Sequence, residues 1–136
     1  MKNGENMNLE NYFGNIKGTG ILATSDAKGN VDAAVYARPY VIDDKIIAFS
    51  MMERKSYSNI MSNPKACFLF IEKGEGFKGQ RFYLQSKGEE TNPDNIKMLK
   101  KTHNITDIPT DEKRHLIYFT INQVRSLIGG SEKQSE

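Results

Sequence analysis

Arg54, Lys55 and Ser56 stand together where an apolar strand gives way to an amphipathic helical turn, in the stretch FSMMERKSYSNIMSNP, residues 49–64. A helix start leaves its first N–H groups without partners and carries a partial positive charge. Two cations placed there oppose the dipole, and an anion placed there reverses the sign of that argument. A phosphate dianion would accept bonds from Lys55, from the Ser56 hydroxyl and from the first backbone amides. Arg38 ends the polar face of an earlier strand beside Pro39, and the following strand returns Ser50 toward the same end of the sheet. The alternative, with Ser56 as an ordinary N-cap and both cations in water, stays open on these residues alone.

Other candidates are weaker. GEGFKG matches G-x-G-x-x-G at Gly74, Gly76 and Gly79, but RFYLQS follows and reads as a strand. A dinucleotide fingerprint needs a helix there. The segment is instead a hairpin loop, or a mobile loop whose Phe77 covers a flat ligand. His103 and His115 have no Cys or carboxylate at ligand spacing, so no metal site is expected. Cys67 reads as a small buried hydrophobe, and Glu89-Glu90 as a solvated strand end. Arg81, Phe82 and Tyr83 interleave a cation with aromatics, as single-strand nucleic-acid binders do, yet Phe82 must point opposite to its neighbours. A net charge of +2 gives that reading no support.

The elements that position these groups follow from periodicity. Leu9, Tyr12, Phe13 and Ile16 recur at helical spacing, which predicts a helix over 8–16. GTGILATSD, VDAAVYARPYVI and KIIAFSM read as three strands meandering through the turns DAKGN and DD. The second carries Val31, Ala33, Val35 and Ala37 on one face and Asp32, Tyr36 and Arg38 on the other. Tyr57, Ile60 and Met61 form an apolar helical face that Asn63-Pro64 stops. KACFLFIEK, nearly all apolar, is a central strand; QRFYLQSKGEE and HLIYFTINQVRSLI are two more. TNPDNIKMLKKTH is a helix with Asn92 as N-cap, Pro93 at its first position and Asp94 in its first turn. Six strands with two or three helices and short turns predict a mainly antiparallel sheet that closes into a small barrel.

Composition sets the outer bounds. The 136 residues suffice for one domain with one core, and 38% apolar with 26% charged residues is the balance of a soluble globular protein. No apolar run approaches a membrane span, and the N-terminus lacks an apolar signal core. With a single cysteine, these features predict a cytoplasmic protein.

The ordered landmarks GILATSDAKGNVDAAVYARP, IIAFSMMERKSYSNIMSNPKACFLFI and GQRFYLQSKGEE resemble the FMN-binding split-barrel family typified by pyridoxamine phosphate oxidase. The likeness covers residues 19 to about 88 and, more loosely, the last strand. It implies a mainly β (α+β) fold: a six-stranded antiparallel Greek-key split barrel with two or three flanking helices. A single domain over 1–128 and a flexible tail over 129–136 are expected. It further implies a homodimer with FMN in grooves at the subunit interface. Carried over by position, Lys55 and Ser56 hold the phosphate with Arg38 nearby, and Asn59 reaches the phosphate or ribityl chain. Val35, Tyr36 and Ala37 line the ring, Ser50 and Met51 flank it, and Gln80 and Arg81 approach from the second subunit. The family's true oxidases carry a C-terminal motif with Trp and Arg that grips pyridoxal substrates. This chain has no Trp and offers only Arg125 in QVRSLIGG, so oxidation of pyridoxamine phosphate is not expected. The implied function is an FMN-dependent oxidoreductase acting on another small molecule, with NADH or NADPH as donor. A non-catalytic flavin, haem or deazaflavin carrier is the alternative. Neither nucleic acid nor membrane is an expected partner. No side chain need be catalytic, because the flavin carries the redox chemistry; Tyr36 and Arg81 are polar groups that could face a substrate.

Overall fold

Asp26 shapes the first hairpin. Its Oδ1 accepts the amides of Lys28 and Asn30, both at 2.9 Å, and Gly29 takes a φ of +90° that favours glycine. The turn joins β1, Gly18–Ser25, to β2, Val31–Tyr36, in antiparallel register. The computed structural model describes residues 7–102 and 114–129. The expected tail beyond Gly129, and His103, lie outside them.

Beyond β2 the expectation of a meander fails. The second predicted strand breaks at Ala37-Arg38-Pro39, and its remainder, β3 (Tyr40–Val41), pairs with β4 (Ile46–Met52) at the other edge of the sheet. Pro39 cannot donate to a ladder, and the Arg38 guanidinium donates to the Phe13 carbonyl at 2.5 Å, holding the break against α1, Leu9–Asn15. Among the described residues the sheet therefore has seven strands, not six. The remaining strands are β5 (Lys65–Glu72), β6 (Gly79–Glu90) and β7 (Arg114–Ser126). Their order is β2-β1-β5-β6-β7-β4-β3, antiparallel throughout. Consecutive β2 and β3 occupy opposite edges, so the sheet curls until one short link bridges its seam. β5 is interior, as its apolar sequence predicts.

Alternation sorts the two faces. Inside the curl, Leu22, Phe68, Phe70, Phe82 and Phe119 are fully buried, and Leu9 and Phe13 of α1 pack on the same cluster. Phe49 meets Phe68 at 4.9 Å between ring centroids. Helix α2, Lys55–Ser62, buries Ser56, Asn59 and Ile60 while Met61 is exposed, a face rotated from the one its apolar residues predict. Helix α3, Pro93–Thr102, starts as expected: the Asn92 side chain accepts the Asp94 amide at 2.8 Å. It packs Leu99 on Ala48 and Leu116.

Gly20 sits where this packing leaves no room for a side chain. A Cβ there would lie 2.4 Å from the Phe68 ring and 2.8 Å from the Tyr36 carbonyl. Gly20→Ala is expected to destabilise the fold by ~1–3 kcal/mol through overpacking. An unchanged urea midpoint would show that β1 and β2 have slack that the contacts deny.

Candidate functional site

Helix α2 begins without a side-chain cap. Arg54 occupies the cap position in an extended conformation, makes no capping hydrogen bond, and no acidic residue lies in the first turn. The first intrahelical bond runs from the Ser58 amide to the Arg54 carbonyl at 3.0 Å. The amides of Lys55, Ser56 and Tyr57 therefore precede the ladder. Ser56 is the second residue of the helix and buried, so the reading of Ser56 as N-cap is replaced by one in which Arg54 takes that place.

A cleft of about 600 Å³ opens beside this helix start, between β2 and β4. That size lies within the ~300–1,000 Å³ range of small-molecule sites. Lys55, Ser56, Arg54 and Arg114 line one part; Tyr36, Ala37, Arg38 and Ser50 line another. Its charged lining is four cations, Arg38, Arg54, Lys55 and Arg114, against one carboxylate, Asp32. Burial raises the Tyr36 phenol above its ordinary value, while the nearby Ser56 hydroxyl and the charges of Arg114 and Arg54 pull the other way. The phenol thus sits among the cations and the helix start. Its ring meets Phe49 edge-on at 5.7 Å across the seam.

Of the residues singled out from the sequence, Val35, Tyr36, Ala37, Arg38, Ser50, Lys55 and Ser56 share this cleft. Met51 does not. Alternation along β4 turns Ser50 and Met52 to the cleft and Met51 into the core, where it is fully buried. Asn59 is also a core residue; its amide donates to the Thr24 hydroxyl at 3.0 Å. Gln80 and Arg81 lie on β6 outside this chain's cleft. Arg81 donates through Nε to the Ser126 carbonyl at 2.8 Å and through Nη2 to the Gly129 carbonyl at 2.5 Å. The structure adds Asp32, Ala34, Tyr40, Phe49, Met52, Arg54 and Arg114 to the lining. Arg54 was visible beside Lys55. Arg114 reaches the site only because β4 pairs with β7, opposing Met52 to Arg114, and no local signal announces that register.

The other motifs resolve as follows. Gly79 leads directly into β6, so GEGFKG precedes a strand, and Phe77 at its tip is exposed. Phe82 is fully buried, which removes the aromatic ladder of the nucleic-acid reading. Cys67 is only partly buried, and burial raises its thiol against the pull of Arg81. Glu89 and Glu90 close β6, with Glu89 exposed as expected, and both also have partners: Glu89 meets His115, and Glu90 accepts from the Tyr118 phenol at 2.7 Å. Burial and that bond push Tyr118 up to about 12. Among the described residues no three His, Cys, Asp or Glu side chains gather as metal ligands, and no helix is long and apolar enough to cross a membrane.

Residues 13–128 match the family model described as Pyridoxamine 5'-phosphate oxidase, and the chain belongs to that family. No curated protein matches the sequence. Among solved structures, an FMN-binding protein from Syntrophomonas wolfei subsp. wolfei superposes with a TM-score of 0.73 at 17% identity, over 90% of this chain and 86% of that one. HupZ of Group A Streptococcus gives 0.69 at 20% identity, over 91% and 94%. HutZ, the heme storage protein from Vibrio cholerae, gives 0.62 at 13%, over 86% and 90%. At these identities the likeness establishes the fold, a mainly β split barrel.

Proposed function

We propose that this family member binds FMN in the cleft and acts as an FMN-dependent oxidoreductase on a small molecule other than pyridoxamine phosphate. The observation that carries the reading is the uncapped head of α2 facing a cleft rich in cations. A helix start with bare amides, Lys55, Ser56 and flanking arginines suits a phosphate dianion. Strand β2 is a sheet edge, so its free backbone groups can meet the polar rim of a flavin ring beside Val35, Tyr36 and Ala37. FMN supplies electron and hydride transfer when bound; the protein binds it, orients it and sets its electrostatics. Tyr36 is the described group placed to hold a proton near a substrate. NADH or NADPH is the proposed donor.

A homodimer is part of the proposal. Sheet register aligns Val35, Ile21, Leu69, Arg81 and Arg125 in one row across the outer face. On edge strand β2 that face exposes Val31 by 79% and Val35 by 76%. Apolar side chains outward and a cleft beside them suit a second copy of this chain, with Gln80 and Arg81 near its flavin. A carrier role is the second reading, favoured because cations, a phenol and apolar groups are what binding alone requires.

Three measurements test these claims. Each charge-assisted bond to the phosphate contributes roughly 1.5–3 kcal/mol. Lys55→Ala should therefore weaken FMN binding by about tenfold to a hundredfold in a fluorescence titration. Wild-type affinity in that variant would remove the phosphate from the helix start. In anaerobic stopped flow, NADH or NADPH should bleach the bound flavin; a flavin left oxidised by both donors favours the carrier. Light scattering should give twice the 15.4 kDa chain mass, and Leu69→Lys should halve it. A monomeric wild type would refute the dimer.

A further inference from the structure

His115 of β7 lies between two carboxylates. Its Nδ1 is 2.5 Å from Glu89 Oε2 on β6, and its Nε2 is 2.7 Å from Glu53 Oε2 in the turn between β4 and α2. The ring stacks on Tyr57 of α2, with centroids 4.2 Å apart and planes 17° from parallel. The Tyr57 phenol donates to the other Glu89 oxygen at 3.4 Å. One imidazole thus ties together two strands, the turn that carries Arg54, and the first turn of the helix.

The protonation state follows from the geometry. A neutral imidazole has one N–H, so one carboxylate would face a nitrogen lone pair. With both carboxylates ionised, both contacts are satisfied only by the imidazolium. Burial alone would lower the histidine, but hydrogen bonds and charge from Glu89 and Glu53 outweigh it and raise it above the ordinary 6.5. The titratable and charged groups around the ring are Glu53 from the turn, Glu89 from β6, Tyr57 from α2 and Arg114, its chain neighbour on β7. The Tyr57 phenol is itself raised, by burial first and then by both carboxylates, and so stays neutral through the relevant interval. Arg114 lines the cleft, and Glu53 is bonded through its peptide to Arg54, the cap residue.

We propose that Glu53, His115 and Glu89 form a proton-dependent clamp that holds the head of α2, and with it Arg54 and Lys55, in the geometry that binds an anion. The consequence for ligand rests on the reading of the cleft as a phosphate site; the clamp itself does not. His115 is a positioning residue and touches no ligand. Of its partners Glu53 is the more exposed, 51% against 28% for Glu89, so loss of the proton releases Glu53 to solvent and leaves the Glu89 contact. The sign follows from a folded value raised above the unfolded one: the clamp is complete below about 6.5 and is lost as pH rises through the raised value. Phosphate ionisation runs the other way, with its second proton leaving near pH ~6. Affinity should therefore be compared on both sides of the observed His115 midpoint and against a variant lacking the imidazole, which shows the phosphate's own ionisation alone.

The test uses the full chain. In the ligand-free protein, the His115 ring signals should titrate above 6.5, and the amide signals of Arg54 to Ser58 should shift with the same midpoint. His115→Gln should abolish that amide shift. With FMN as probe, the wild-type Kd should rise by about fivefold or more across this midpoint, and His115→Gln should lack the step. If His115→Gln folds poorly, Glu53→Gln serves, lowering the His115 midpoint and shrinking the step. A His115 midpoint at or below 6.5, amides that ignore it, or an unchanged step in His115→Gln would overturn the clamp. Should wild type fail to bind FMN at all, the cofactor reading falls, and the ligand-free amide titration still decides the clamp.

Discussion

The amides at the head of α2 are the constraint around which the site is built. Most helices close such an end with a Ser, Thr, Asp or Asn side chain, or with an acidic first turn. This one offers Arg54 at the cap and Lys55 at the first position, and its hydroxyl, Ser56, turns inward toward Tyr36. Arg114 and Arg38 add charge of the same sign from two other parts of the sheet. Cations gathered around a positive helix end repel one another and the dipole, and solvent screening only softens this. The arrangement is unfavourable for the empty protein and favourable for one holding an anion.

The fold answers that local tension with rigidity elsewhere. Asn59 and Thr24 bond each other inside the core, fixing the far face of α2. Asn63 ends the helix, and the Ser62 hydroxyl accepts the Ala27 amide, tying its last turn to the first hairpin. A helix of eight residues has little stability of its own. These tertiary contacts, together with the clamp at its first turn, hold the bare amides in place.

Local features were legible in the sequence where local rules decide them. The Asn92-Pro93-Asp94 start, the DAKGN turn, the Asn63 stop and the alternation of Phe82 against Arg81 and Tyr83 all appear as the residues predict. Register between distant strands is not encoded in any short window. That is why Arg114 was missed, why β3 migrated to the far edge, and why Glu89 turned out to meet a histidine 26 residues away. Met51 was assigned to the cleft and lies in the core for a simpler reason. A strand that borders both a cleft and a core shows an apolar run on both faces, and composition does not say which methionine points where.

The two faces of β2 carry the last step. Tyr36 and Val35 are adjacent residues, one turned to the cleft and core side, the other to the outer face, where it is exposed by 76%. A slip of one residue between β1 and β2 would exchange them. It would turn the Val35 side chain inward and place Tyr36 on the outer row. What prevents the slip is the Asp26 turn, with its three bonds to Lys28 and Asn30, and the closeness of Gly20 to the Tyr36 carbonyl. The register that sets the polarity of the cleft therefore also sets which β2 side chains, Val31 and Val35, the outer face exposes. If the proposed FMN site and dimer hold, a change that loosens the first hairpin acts on both, because one pleat orients the β2 side chains toward each.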